Sequence, residues 1–246
     1  MNKIIYLSLS VITMVLASCT QQQEPYERTN GTGTVILNLS TTPRPAISTR
    51  AVDNDLNVEF IRPDGSIYQQ YDAGQEIPQK VTLEAGVIYT VRAYTPNQDT
   101  WQDANNGLGE GCYYGETSIT VDEDQIAYLN YVVPMTNCAV TFTLPDLFDM
   151  LFKRYSFIVE YGDKTVTMSA QGTKAYMPAS AEGFKYKLQA TNNDEKTSSH
   201  TLLEYPNTQK GKLYNIKYVY AGEFNSGNID IDITDNNEHE DIDFGV

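Results

Sequence analysis

The chain has 246 residues and a formal net charge of −15, with 32 acidic against 17 basic side chains. A balance this negative repels nucleic-acid phosphates and anionic lipid headgroups, which excludes both as partners of the protein surface. Eighteen tyrosines against one tryptophan, with many β-branched residues and short Gly/Asn/Asp punctuation, predict an all-β body.

The first element is a leader. Lys3 gives a short positive start, and the apolar run Ile4–Leu16 is too short to span a bilayer as a helix but suits a secretory segment. Small Ala17 and Ser18 directly precede Cys19, so Leu16-Ala17-Ser18-Cys19 reads as a bacterial lipobox. Signal peptidase needs small side chains there, and the cysteine thiol takes the diacylglyceryl group. The expectation is a signal peptide over 1–18 and a mature N-terminus at Cys19 carrying palmitate-type acyl chains. The alternative is an ordinary signal peptide that happens to end near a cysteine. Each buried acyl CH₂ contributes about 0.8 kcal/mol, so more than one chain makes the attachment effectively permanent. Thr20 is not the acidic residue associated with inner-membrane retention, which points to the outer membrane; the body is expected at the cell surface, with a periplasmic face as the alternative.

Residues 19–32 are polar, lack periodicity and read as a tether, about 20 Å long as a flexible chain. The rest is long enough for two domains of about 100 residues, each able to bury its own core. In the first, 33–135, strands are expected at Gly33–Ser40, with Val35, Leu37 and Leu39 on one face, and at Leu56–Ile61, Ser66–Tyr71, Lys80–Leu83, Val87–Tyr94, Cys112–Tyr114, Thr117–Val121 and Gln125–Val133. Pro63-Asp64-Gly65 is a hairpin turn, since Pro presets φ and Gly takes the positive-φ position. Thr41–Asn54 and the Asn/Asp/Gly-rich stretch Thr95–Gly111 are loops.

The second domain, 136–234, opens with a strand at Asn137–Leu144. Pro145–Tyr155 is the one helical stretch, with Leu147, Met150 and Leu151 on one face. Strands follow at Ser156–Tyr161, Lys164–Ser169, Phe184–Ala190, Thr201–Glu204, Lys212–Tyr220 and Asn228–Thr234. Gly86-x-x-Tyr89-x-Val91-x-Ala93 and Gly183-x-x-Tyr186-x-Leu188-x-Ala190 share one spacing, as a duplicated sandwich would leave behind. Residues 235–246 are an acidic tail expected to be mobile. The fold class is all-β: two tandem β-sandwiches with one short helix in the second.

Tests for chemistry come back negative. A Ser-His-Asp site needs a histidine, and the two present are His200, beside serines and a strand, and His239, in the acidic tail. Both read as surface residues. There is no phosphate-cradling glycine loop, and Cys112 and Cys138 have no histidine at zinc-ligand spacing. Asp230, Asp232, Asp235, Glu238 and Glu240 lack the central glycine and terminal bidentate acid of a calcium loop. The alternation Ile229-Asp230-Ile231-Asp232-Ile233 has a simpler cause, a half-buried strand with its acids in water. No catalytic residue, cofactor or metal is expected. Trp101, in a loop of amides and carboxylates, suits a sugar platform that Tyr113 and Tyr114 would extend, or else it folds back over a sheet end. Cys112 and Cys138 either pair outside the cytoplasm or sit as two buried thiols.

Lipobox Cys19, a Gly-Thr-x-x-x-x-Leu first strand, Thr49-Arg50-Ala51 and two tandem sandwiches resemble the fimbrillin-like outer-membrane lipoproteins of anaerobic Gram-negative bacteria. Tyr113-Tyr114-Gly115 and Asn137-Cys138-Ala139-Val140 make the chain most similar to a lipoprotein branch of that group without an assigned role. The resemblance implies transthyretin/fimbrillin-like sandwiches and a part in cell adhesion or pilus assembly. It also implies trypsin-like cleavage between Arg50 and Ala51. Loss of the first strand, an edge strand carrying Val35, Leu37 and Leu39, would open a groove for an extended segment of another fimbrial subunit, with Ile229, Ile231 and Ile233 as the incoming set. Two local readings oppose this: Arg50 as an ordinary exposed arginine, and Asn228–Thr234 as the closing strand of its own domain. The expected partners are therefore the membrane through the lipid, other fimbrial subunits and surface glycans.

Overall fold

The computed structural model describes residues 31–41, 55–97, 107–221, 232–235 and 240–243. Cys19, Arg50, Ala51, Trp101, Ile229, Ile231 and His239 lie outside the described residues.

The first half contains β1 (Thr32–Ser40), β2 (Asn57–Ile61), β3 (Ile67–Tyr71), β4 (Lys80–Glu84), β5 (Tyr89–Tyr94), β6 (Tyr114–Ile119) and β7 (Ile126–Val132). They form two sheets, ordered β4-β1-β7 and β3-β2-β5-β6. Alternation puts every second side chain inward. Val35, Leu37 and Leu39 of β1 meet Val58 and Phe60 of β2 and Tyr89, Val91 and Ala93 of β5 in one apolar core. Burying each aliphatic side chain contributes about 1.5–3 kcal/mol.

The second half contains β8 (Cys138–Thr143), α1 (Phe148–Leu151), β9 (Phe152–Tyr161), β10 (Lys164–Met168), β11 (Ala175–Met177), β12 (Phe184–Asn192), β13 (Thr197–Ser199), β14 (Leu203–Tyr205), β15 (Lys212–Ala221), β16 (Asp232–Asp235) and β17 (Glu240–Asp243). One sheet runs β10-β9-β12-β13, with β14 also on β12; the other runs β11-β8-β15-β16, with β17 also on β15. Its core is aromatic: Phe142 stacks on Phe157 at 4.7 Å, and Phe148 on Phe152 at 4.4 Å.

The two halves share one arrangement of their central strands. β1 lies between β4, antiparallel, and β7, parallel; β8 lies between β11, antiparallel, and β15, parallel. β5 and β12 each pair with the second strand of their half, β2 and β9. The spacing shared by the two sequences falls on this equivalence. Gly86 and Gly183 have φ of 73° and 68°, and the three residues that follow each at even spacing point into their cores.

Three expectations are corrected. The helix expected over Pro145–Tyr155 is the single turn Phe148–Leu151, entered through Leu147 at φ 66° with no side-chain cap. From Phe152 the chain extends instead, because pairing with β12 satisfies more backbone groups than an uncapped short helix can. The acidic tail expected to be mobile supplies β17, antiparallel to the start of β15. Finally, β1 is the middle strand of its sheet, not an edge, because β7 returns to pair on its far side. The short strands β11 and β13 are too brief to show a period and were not legible in the sequence.

Candidate functional site

β1 is held by five residue pairs on one side and seven on the other, and Val35, Leu37 and Leu39 have no solvent exposure. Because it enters from residue 31 and leaves into the segment carrying Arg50, its covalent connections lie at its two ends, while its ladders lie along its length. Removing it would expose an apolar slot flanked by unpaired edges of β4 and β7, the geometry an extended peptide can fill.

A cleft of about 630 Å³ opens beside this strand. Thr41 follows β1, Asp55 precedes β2, Gly74 follows β3, and Asn97 follows β5; Glu110, Tyr113 and Tyr176 complete the wall. Tyr176 comes from β11, so the cleft lies where the two halves meet. Burial raises the Tyr176 phenol above its ordinary range, so it stands there as a neutral hydroxyl. Two carboxylates, an amide and two phenols, with no lysine or arginine among the described residues of the lining, suit a neutral polyhydroxyl ligand better than an anion.

Tyr113 and Tyr114 do not extend a common platform. Successive residues of an extended chain point to opposite faces. Tyr113 packs against the first core and lines the cleft, while Tyr114 stands on the outer face of its sheet, its ring 6.4 Å from that of Tyr94. There the Tyr114 hydroxyl donates to Glu116 at 2.6 Å, and Arg92 bridges Glu116 at 2.7 Å and Glu59 at 3.1 Å. The Tyr114 hydroxyl first, and then Arg92, hold the Glu116 carboxyl below its usual range. Glu59 is nearly buried, and it also accepts from the Tyr94 hydroxyl at 2.9 Å.

The junction is fixed by Asn137, whose side chain is buried. Its Oδ1 accepts the Cys112 N–H at 2.9 Å, its Nδ2 donates to the Glu110 carbonyl at 2.8 Å, and its carbonyl accepts the Gly211 N–H at 2.8 Å. A second tie joins the Tyr176 N–H to the Leu108 carbonyl at 2.7 Å. These contacts give physical meaning to the two diffuse motifs. Asn137 pins the loop before β6 to the strand opening the second half. Gly115 is glycine because a Cβ there would collide with the Tyr131 hydroxyl and reach Pro134 at 2.8 Å. Sequence reasoning had not given Asn137 a role; the available signal was one amide directly before the buried run Cys138–Phe142.

Cys112 and Cys138 are buried thiols and are not joined in a disulfide. The Cys112 Sγ donates to the Asn97 carbonyl at 3.2 Å and the Cys138 Sγ to the Met177 carbonyl at 3.4 Å. His200, read as a surface residue, is half-buried and bonded on both ring nitrogens. Among the described residues, no three His, Cys, Asp or Glu side chains gather as metal ligands would.

Fold and site together define a tandem β-sandwich protein whose two halves repeat one topology, each built around an inserted first strand. The chain belongs to the DUF4493 family, a domain of unknown function, whose model matches residues 31–246. Comparison with curated proteins finds no match. Among solved structures it is similar to a candidate cell adhesion protein from Bacteroides uniformis, at 14% identity and a TM-score of 0.51, covering 86% of this chain and 99% of that one. It is also similar to a fimbrial assembly protein from Parabacteroides distasonis, at 11% identity and a TM-score of 0.42, covering 86% and 97%. A candidate cell adhesion protein from Bacteroides ovatus matches at 14% identity and a TM-score of 0.44, covering 89% and 99%. The Bacteroides uniformis likeness shows a shared fold.

Proposed function

We propose that this chain is a non-enzymatic, lipid-anchored cell-envelope protein, fimbrillin-like, acting at the outer surface in adhesion or pilus assembly. Cys19 is its lipid attachment point, and Arg50–Ala51 is the bond a trypsin-like protease cuts. The observation that carries the reading is the position of β1: an inner strand, fully buried along Val35, Leu37 and Leu39, with chain ends through which it can be released. Its departure would leave a slot for an extended segment of another subunit. In this chain, residues 232–235 already pair with β15 of their own domain, so a donor role for Ile229, Ile231 and Ile233 requires that segment to leave β15 first. The fold shared with the Bacteroides uniformis protein supports the reading.

The test is digestion of the full chain with a trypsin-like protease, followed by mass spectrometry and native mass analysis. Cleavage after Arg50 is expected to release the β1 segment and produce polymers, and Arg50→Ala to abolish both. A clean cut at Arg50 with no change in oligomers would sink the assembly reading. Lipidation is tested separately: Cys19→Ser should lose both palmitate label and membrane partitioning.

A second reading, glycan binding, is favoured by the polar cleft that Tyr113 and Tyr176 line together with Asn97 and Glu110, which flank Trp101 in the sequence. A glycan array should show binding by the wild type that Trp101→Ala and Tyr113→Ala each weaken. Silence of the wild type removes this reading.

A further inference from the structure

β7 is an edge strand of its sheet among the described residues. We infer that two copies of this chain pair β7 against β7, antiparallel about a two-fold axis at Tyr128, and so join their three-stranded sheets into one.

The orientation of β7 follows from its bonds to β1. The Gln125 carbonyl accepts the Thr34 N–H at 2.9 Å, and the Val133 N–H donates to the Ser40 carbonyl at 2.8 Å. Odd-numbered residues therefore turn their backbone groups toward β1. By the alternation of a strand, Ile126, Tyr128 and Asn130 turn theirs outward. Among the described residues, no strand pairs with that side. The open stretch ends near Val132, because the Pro134 carbonyl accepts the Tyr114 N–H at 3.1 Å, and the chain is held there against β6. Tyr128 is thus the middle of the free edge.

The residues on this edge are those of a contact, not of a protected boundary. Ile126 and Tyr128 are 59% and 66% exposed, the two large apolar side chains of β7 that face water. Sheet edges are ordinarily blunted by lysine, proline, a bulge or extreme shortness. β4 carries Lys80 and Glu84, β6 carries Glu116, β10 carries Lys164, β11 has three residues, and β3 is paired across a bulge. β7, Ile-Ala-Tyr-Leu-Asn-Tyr-Val, has seven residues, no charge and no proline in a chain of net charge −15.

The other half of the molecule shows that this position accepts an antiparallel strand. β15 is the counterpart of β7, and its outer edge is covered antiparallel by β17 at Lys212–Asn215 and by β16 at Tyr218–Ala221. The occupant of β7 is a second copy rather than another acidic tail, because Asp122, Glu123 and Asp124 stand at one end of the strand. Two-fold pairing at Tyr128 places the two acidic turns at opposite ends of the joint, where they do not face each other. It sets Tyr128 opposite Tyr128 and Ile126 opposite Asn130 of the second copy, with about six hydrogen bonds between them.

The test uses the full chain in detergent. Light scattering should give a dimer mass that returns to the monomer mass in Ile126→Lys/Tyr128→Lys, with the thermal transition kept because both side chains are exposed. Tyr128→Cys should form a disulfide-linked dimer on mild oxidation that the wild-type chain does not form. A wild type that is monomeric at tens of micromolar, or a dimer that survives the double lysine variant, overturns the inference. The result is independent of cleavage at Arg50 and of lipidation.

Discussion

The Nε2 of His200 accepts the backbone N–H of Leu188 at 2.9 Å, taking the place of a carbonyl in the sheet. β13 leaves β12 at Gln189 and β14 rejoins it at Tyr186, and the imidazole fills the gap between them. Its Nδ1 lies 2.6 Å from the Thr201 carbonyl, and the Tyr218 hydroxyl lies 3.0 Å from Nε2. The pattern assigns the proton to Nδ1, since Nε2 must accept. Removing the ring strands a buried N–H and a buried phenol, each costing about 1–3 kcal/mol. His200→Ala should lower the urea midpoint accordingly; an unchanged midpoint would show that water replaces the ring.

Asn137 joins the loop before β6 to the strand that opens the second half. Asn137→Ala leaves the Cys112 N–H and the Glu110 carbonyl without this partner, a loss of about 1–3 kcal/mol for each group that stays dry. Limited proteolysis should then cut faster within residues 95–111, whereas the second domain, whose core lies elsewhere, keeps its resistance. Equal resistance in wild type and variant would argue against the pin.

Glycines at positive φ separate into two kinds. Gly183 has φ 68°, and a Cβ there would run into the Tyr205 carbonyl; Gly172 has φ 75° and open space around it. Gly172→Ala should cost only the left-handed strain, about 1–2 kcal/mol. Gly183→Ala adds a backbone collision and should cost clearly more, or prevent folding. Thermal melts of the two variants measure the difference, and similar melting temperatures would refute it.

Burial pushes the Cys138 thiol up to about 11 from 9.0, only partly offset by the Thr208 side chain. A folded pKa above the unfolded one contributes stability that is complete below pH 9 and is lost as pH rises toward 11. Cys138→Ala should flatten this alkaline limb. In the folded chain at pH 8, Cys138 should resist iodoacetamide and react once urea unfolds it. Mass spectrometry of the labelled peptide checks this, and native labelling would contradict the burial.

The Glu116 carboxyl behaves in the opposite sense. Its folded pKa lies below 4.5, so its contribution is present above that pH and is lost as pH falls through the folded value. The side chain is 40% exposed, so the effect is small. Glu116→Gln should flatten the acid limb of stability below pH 4.5, read by denaturant midpoints, and an unaltered limb would remove the assignment.

Much of the fold was legible in order because a strand's period is a property of its own residues. Val35, Leu37 and Leu39 announce a buried face without reference to any partner, and the matched Gly86 and Gly183 segments announce the repeat. What tertiary structure decided is everything that depends on a neighbour far along the chain. Only the return of β7 makes β1 an inner strand, and only the pleat sends Tyr113 to the cleft and Tyr114 to the opposite face. His200 and Asn137 became structural when the groups they satisfy, distant in sequence, were brought within hydrogen-bond reach. Hydrophobic periodicity carries the direction of each side chain relative to its own backbone; it carries no record of which backbone lies alongside.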